Sequence, residues 1–209
     1  MKVAIIPVTA YQQNCSIVWC PETKKGALID PGGDLDKLQK AVEQKEIEIE
    51  KILLTHAHID HAGAAADASD LYDAPIIGPH EGEQMLIDMM DMQSQMSGIP
   101  AKKFTPDQWL KGGDTVTVGN LHFDVLFCPG HTPGHIVFHA PKNNIAFVGD
   151  VLFNGSIGRT DLPGGDTQTL LTSIKTQLFP LKANTVIVSG HGPNTTIGNE
   201  KTNNPFLKT

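Results

Sequence analysis

Lys51-Ile52-Leu53-Leu54-Thr55-His56-Ala57-His58-Ile59-Asp60-His61 is the stretch that decides how this chain is read. Its first half is a short, apolar-centred run, the pattern of a strand buried on both faces. Its second half places four metal-ligand-type side chains, His56, His58, Asp60 and His61, in six positions. Such a run is poor core material, because every imidazole or carboxylate taken out of water needs a partner. A single buried histidine is more often a satisfied core residue than a ligand, but four ligand-type residues together lack that explanation. Alternate positions of the loop can converge on one ion while the next pair turns toward a second.

The same event recurs downstream. Leu121 to Phe127 runs into Pro129-Gly130-His131, Ile145 to Val148 into Gly149-Asp150, and Thr185 to Ser189 into Gly190-His191. Ligand-type side chains thus follow the carboxyl ends of four strands, where open α/β sheets place their sites. Histidine suits zinc, iron and similar metals, and a carboxylate can bridge two of them.

Outward from these points, Val3 to Val8, Ser16 to Trp19 and Ala27 to Ile29 read as strands. Asp34 is placed to N-cap a helix through Leu35, Leu38 and Val42. Ala62 to Leu71 and Thr167 to Leu178 read as helices, and Pro75 to Gly78, Thr115 to Val118 and Ile136 to His139 as strands. Glu81 to Met96 reads as one helix whose Met85, Met89, Met92 and Met96 form a stripe, either core or a lid over an apolar groove. Strands and helices alternate in two halves, which predicts an α+β fold, a four-layer αββα sandwich forming one domain over residues 1–209.

Composition sets the limits. Of 209 residues 40% are apolar and 19% charged, ordinary for a globular chain. The net charge of -7 and the lack of a basic patch argue against a nucleic-acid partner. No stretch approaches the roughly 20 apolar residues that span a bilayer. The N-terminal apolar run is short and broken by Pro7, unlike a signal peptide, so the expected location is the cytoplasm. Cys15, Cys20 and Cys128 follow no metal or redox spacing and read as buried thiols.

Thr55-His56-Ala57-His58-Ile59-Asp60-His61 resembles the His-x-His-x-Asp-His signature of the metallo-β-lactamase superfamily. Pro129-Gly130-His131-Thr132-Pro133-Gly134-His135, Gly149-Asp150 and Gly190-His191-Gly192 resemble its later motifs, in the same order. Within it the chain looks most like a short bacterial type II glyoxalase, a hydroxyacylglutathione hydrolase. The resemblance implies one metal on His56, His58 and His131, a second on Asp60, His61 and His191, and Asp150 bridging both. It implies two divalent ions, zinc first, with iron or manganese accepted by similar ligands. Asp30 falls where the family carries a carboxylate orienting a ligand histidine; capping the turn at Pro31-Gly32-Gly33 is the other reading. His135 is either such an outer partner or a packed histidine. Arg159 falls where relatives contact a glutathione carboxylate, or else pairs with Asp161 or Asp166.

The activity so implied is hydrolysis of S-lactoylglutathione or a related S-acyl thiol to a 2-hydroxy acid and free thiol. A metal-bridging hydroxide would be the nucleophile, with Asp60 and Asp150 orienting it. The partner is then a small thioester, glutathione-linked, although the chain stops soon after His191, where longer glyoxalases add a helical domain with further glutathione contacts. A persulfide dioxygenase, a mononuclear iron oxygenase of the same superfamily, is the alternative, since it shares a Gly-Arg-Thr-Asp sequence like Gly158 to Asp161. A tRNA-processing nuclease, a secreted β-lactamase and a non-catalytic metal module fit less well.

Overall fold

Period-two alternation along the central strands builds the architecture of the computed structural model, which describes residues 1–208. The first sheet orders β1 (Lys2–Val8), β2 (Gln13–Trp19), β3 (Lys25–Ile29), β4 (Glu48–Leu53) and β5 (Ile76–Ile77) side by side. Its first three strands pair antiparallel, and β3, β4 and β5 run parallel. A separate hairpin joins β10 (Leu152–Phe153) to β11 (Ser156–Ile157). The second sheet contains β6 (Thr115–Val118), β7 (Leu121–Phe127), β8 (Ile136–Ala140), β9 (Ile145–Gly149), β12 (Val186–Ser189) and β13 (Thr195–Thr196), in the order β13-β12-β9-β8-β7-β6.

Alternate residues of one strand serve different layers. Ile29, Leu53 and Ile77 face Phe123, Phe138 and Phe147 across the inter-sheet core. Leu28 and Ile52, one residue out of phase, pack under α1 (Leu35–Lys45) through Leu38 and Val42 and under α3 (Ala65–Tyr72) through Ala65 and Ala68. Val137, Ala146 and Val148 turn the other way, toward Leu170 and Ile174 near α6 (Thr167–Ser173). The result is the expected αββα sandwich.

The Glu81-to-Met96 helix needs correction. It is a short 3-10 turn over Glu81–Glu83 and two helices, Gln84–Asp88 (α4) and Met90–Ser97 (α5), with a break at Met89. The inward stripe is Glu83, Leu86, Ile87 and Met90, with helical i, i+3, i+4, i+7 spacing; Met85, Met92 and Met96 are exposed. The methionine stripe is therefore not core. Asp34 does precede α1, but in a left-handed conformation with no side-chain cap; its carboxylate accepts the Thr9 N–H at 3.0 Å. Thr167 to Leu178 is helical, with π geometry over Ile174–Leu178. After His191 the chain adds a helix over Ile197–Asn203 (α7) that the sequence reading did not include. No helix among the described residues is long and apolar enough to cross a membrane. All three cysteines are free and buried.

Leu121, buried at the start of β7, lies at the opposite end of that strand from the His131 loop. Leu121→Ala is expected to cost about 2–5 kcal/mol, read from urea unfolding, without altering the loops at the other end.

Candidate metal centre

The centre lies where strands stop. Beyond β4 the chain carries His56 and His58 into α2 (Ile59–Ala62), which holds Asp60 and His61. His131 follows β7, Asp150 follows β9 and His191 follows β12. Three groups of ligand-type atoms result, His56/His58/His131, Asp60/His61/His191 and Asp30/His56/His61, each with its atoms within 4.8 Å of one another; in the third, Asp30 is already occupied by Thr55 and His61. Asp150 lies between the first two: its Oδ1 is 3.2 Å from His61 Nε2, and its Oδ2 is 3.7 Å from His131 Nε2 and 3.6 Å from His191 Nε2. The structure thus brings together every residue singled out by the strand-end pattern.

Hydrogen bonds on the far side of four of the rings, all but His58, fix which nitrogen faces inward. His131 Nδ1 donates to the Arg159 carbonyl at 2.7 Å, and His191 Nδ1 to the Tyr11 carbonyl at 3.2 Å. His61 Nδ1 donates to Asp30 Oδ2 at 2.9 Å. Thr55 Oγ1 donates to the same oxygen at 2.6 Å and so is free to accept His56 Nδ1–H at 3.1 Å. Inward, His58 Nδ1 and His131 Nε2 meet at 2.9 Å and His191 Nε2 lies 3.1 Å from Asp60 Oδ2. His56 Nε2, His61 Nε2 and Asp150 Oδ1 are buried with no hydrogen-bond partner; the last two, although close, are not aligned for a bond. Buried ligand-type atoms without partners, gathered at one point, are what a bound cation would satisfy, and this set of nitrogen and carboxylate donors suits a divalent one.

Electrostatics separate the first two groups. Burial, with help from neighbouring histidines, pushes His56 well below the ordinary histidine value, and burial also lowers His58 to about 3 and His131. These three rings are neutral at physiological pH, as ligands must be. Burial would lower His61 too, but Asp150 and Asp60 outweigh it and hold His61 well above the usual value. His191 is likewise raised against its burial, by its Asp60 partner and by Asp150. Burial alone would raise Asp150; His61, His131 and His191 instead hold it far below the carboxylate range.

Asp30 does what its alternative reading did not foresee: it accepts Thr55 N–H at 2.7 Å as well as the Thr55 hydroxyl and His61. His135 is a packed histidine with a definite task. It stacks on His56, with ring centroids 4.6 Å apart, and its Nε2 accepts the Asp150 N–H at 3.1 Å. Arg159 pairs with Asp161 through two bonds of 2.8 Å on the open surface, while its carbonyl serves His131.

The groups open into a cleft of about 510 Å³ whose walls include Tyr11, Gln93, Phe153, Ile157, Arg159 and Leu162. Apart from Arg159, sequence reasoning singled out none of these, because a cleft wall assembled from separate elements leaves no spacing signal. Phe153 and Ile157 come from the β10–β11 hairpin, which α7 holds. The buried Glu200 accepts Gly155 N–H at 3.0 Å and Asn204 Nδ2 at 2.8 Å, and Asn204 also donates to the Ser156 carbonyl at 3.0 Å.

Strand-end histidines and aspartates converging in an αββα sandwich are the arrangement of a metal-binding site. The chain belongs to the metallo-beta-lactamase superfamily, which residues 8–191 match. It is 46% identical to hydroxyacylglutathione hydrolase GloC of Haemophilus influenzae, over 99% of this chain and 98% of that protein. Its structure is similar to that of the B3 metallo-beta-lactamase BLEG-1, at a TM-score of 0.92 and 37% identity, with 100% of both chains covered. It is also similar to TTHA1623 in a di-iron-bound form, at a TM-score of 0.89 and 38% identity, with 98% of this chain and 100% of that one covered.

Asp30→Ala strands three donors at once. Chelator competition is expected to show a 10–100-fold loss of metal affinity, and unfolding a destabilisation of about 1–3 kcal/mol.

Proposed function

We propose that this chain is a dinuclear metal-dependent thioester hydrolase of glyoxalase II type, acting on S-lactoylglutathione or a related S-acyl thiol. The observation that carries the reading is the pair of three-residue ligand groups sharing Asp150 at the floor of one cleft. His56, His58 and His131 would hold one ion, Asp60, His61 and His191 the other, and Asp150 both. Zinc fits this nitrogen-rich set best, with iron and manganese as alternatives.

When bound, such a pair of dications supplies a water acidic enough to ionise near neutral pH and a positive field for a developing oxyanion. Asp60 and Asp150 line the cleft and would orient that water and receive its proton. A departing thiol has a pKa of about 8.5, so its thiolate leaves without help from a protein acid. The cleft is consistent with this: outside the ligand groups, Tyr11 and Arg159 are its only titratable side chains among the described residues. Arg159 supports an anionic thiol moiety. Its pairing with Asp161 is exposed and therefore weak, so a substrate carboxylate can take the place of Asp161.

Elemental analysis with an S-lactoylglutathione assay tests the reading: two metals per chain and thioester hydrolysis are expected. The sequence Gly158-Arg159-Thr160-Asp161 favours the dioxygenase alternative. One iron per chain, with oxygen uptake on glutathione persulfide and no hydrolysis, would establish that instead. Arg159→Ala is expected to raise KM severalfold and leave kcat nearly unchanged.

Metal uptake should also depend on pH in a defined direction. In the metal-free chain, protons on His61 and His191 pair with Asp60 and Asp150, because both histidine pKa values are raised. That pairing stabilises the metal-free fold below about 6.5, the ordinary histidine value, and is lost as pH rises through the raised values. A cation must displace those protons. Affinity at Asp60/His61/His191 is therefore expected to climb with pH from about 6.5 upward, more steeply than at the neutral His56/His58/His131 group. Titration calorimetry in buffers of different ionisation enthalpy would count the protons released.

A further inference from the structure

Glu83 is fully buried, carries a carboxylate, and makes no ion pair among the described residues. Burying a lone carboxylate is costly unless strong hydrogen bonds replace its water. Here they come from two places far apart in sequence. Oε2 accepts the Ala57 N–H at 2.8 Å, and Oε1 accepts the Gly134 N–H at 2.7 Å.

Those two amides belong to the two loops that supply the three-histidine group. Ala57 lies between His56 and His58, and Gly134 lies three residues after His131 and just before His135. The segment carrying Glu83 is also docked by backbone contact. A Cβ on Gly134 would lie 2.7 Å from the Glu83 nitrogen, and a Cβ on Gly82 would lie 3.1 Å from the Gly134 Cα. His80 adds a bond to the same loop, its N–H reaching the Gly134 carbonyl at 3.4 Å. Below Glu83, Leu86, Ile87 and Met90 anchor the segment in the core of the first sheet.

We propose that Glu83 is a positioning residue: its two carboxylate oxygens hold the His56–His58 loop and the His131 loop at one separation, and so set the affinity and geometry of the three-histidine metal group. Only a carboxylate meets the requirement, because both positions need an acceptor. An amide offers one oxygen, and its NH₂ would face an N–H. Asp60, His61 and His191 receive no bond from Glu83, so the effect is confined to one group. The inference rests on the reading of these groups as metal sites.

Cobalt(II) titration of the full chain, followed by its visible absorption, tests it one group at a time. A His191→Ala background reports on the three-histidine group, and a His58→Ala background on the other. Adding Glu83→Gln is expected to weaken cobalt binding 10–100-fold in the first background, with a changed d–d spectrum, and less than threefold in the second. Leu121→Ala, which loosens the core elsewhere, should leave both affinities within threefold. Wild-type affinity and spectrum for Glu83→Gln in the first background would overturn the proposal. So would equal losses in both backgrounds, or an equal loss in Leu121→Ala. If the parent chain binds no cobalt, the metal reading itself fails first. Should Glu83→Gln not fold, Gly82→Ala carries the test, since it keeps the carboxylate but presses on Gly134. A loss of about threefold or more, confined to the first background, supports the proposal, and no change overturns it.

Discussion

The carboxylate of Asp30 is the interaction on which the centre depends. It sits at a left-handed backbone position, φ 54°, at the end of β3, and accepts Thr55 N–H, the Thr55 hydroxyl and His61 Nδ1–H. Through the hydroxyl it also fixes His56, so one anion sets the orientation of a histidine in each ligand group. The parallel pairing of β3 with β4 brings Asp30 beside Thr55, and α2 then returns His61 to it. Register and chemistry are coupled here. A slip of one residue between β3 and β4 would bury the wrong face and disconnect both histidines.

Much of this was legible in the chain itself. The run from Lys51 to His61 gives both a doubly buried strand and its ligand-bearing exit, and the later strand ends repeat the arrangement at His131, Asp150 and His191. These positions stand out because histidine and aspartate have no other good reason to follow apolar strands. Between Glu81 and Met96 two helical stripes compete. The one with four methionines is more apolar, yet the one containing Glu83 is buried. An acid on an inward stripe looks like an argument against burial until its two amide partners are known, and those partners are 26 and 51 residues away. The cleft wall was illegible for a similar reason. Tyr11, Phe153 and Leu162 lie on separate elements of the chain, each unremarkable locally.

The two unpaired buried acids divide the periphery of the site between them. Glu83 ties together loops below the three-histidine group, whereas Glu200 ties α7 to the hairpin that carries Phe153 and Ile157 into the cleft. Glu83 takes two backbone amides, which cannot change rotamer or titrate near neutrality, and Glu200 takes one, from Gly155, beside the side chains of Thr195, Asn199 and Asn204. Rigid donors of this kind keep the surrounding loops in place while the centre itself exchanges protons for cations.

The pairing of His191 with Tyr11 spans 180 residues, and Asn14 reaches across a similar interval to the carbonyls of Ser189 and Gly192. The first loop of the chain therefore shapes the last ligand. During synthesis the other members of the cluster are translated while the Asp60/His61 pair still lacks its third partner. Assembly of the centre must wait for β12 to slot beside β9, a parallel pairing that only a crossover connection can make. A nascent chain can gather its early histidines, but the second ligand group stays incomplete until β12 and His191 have left the ribosome.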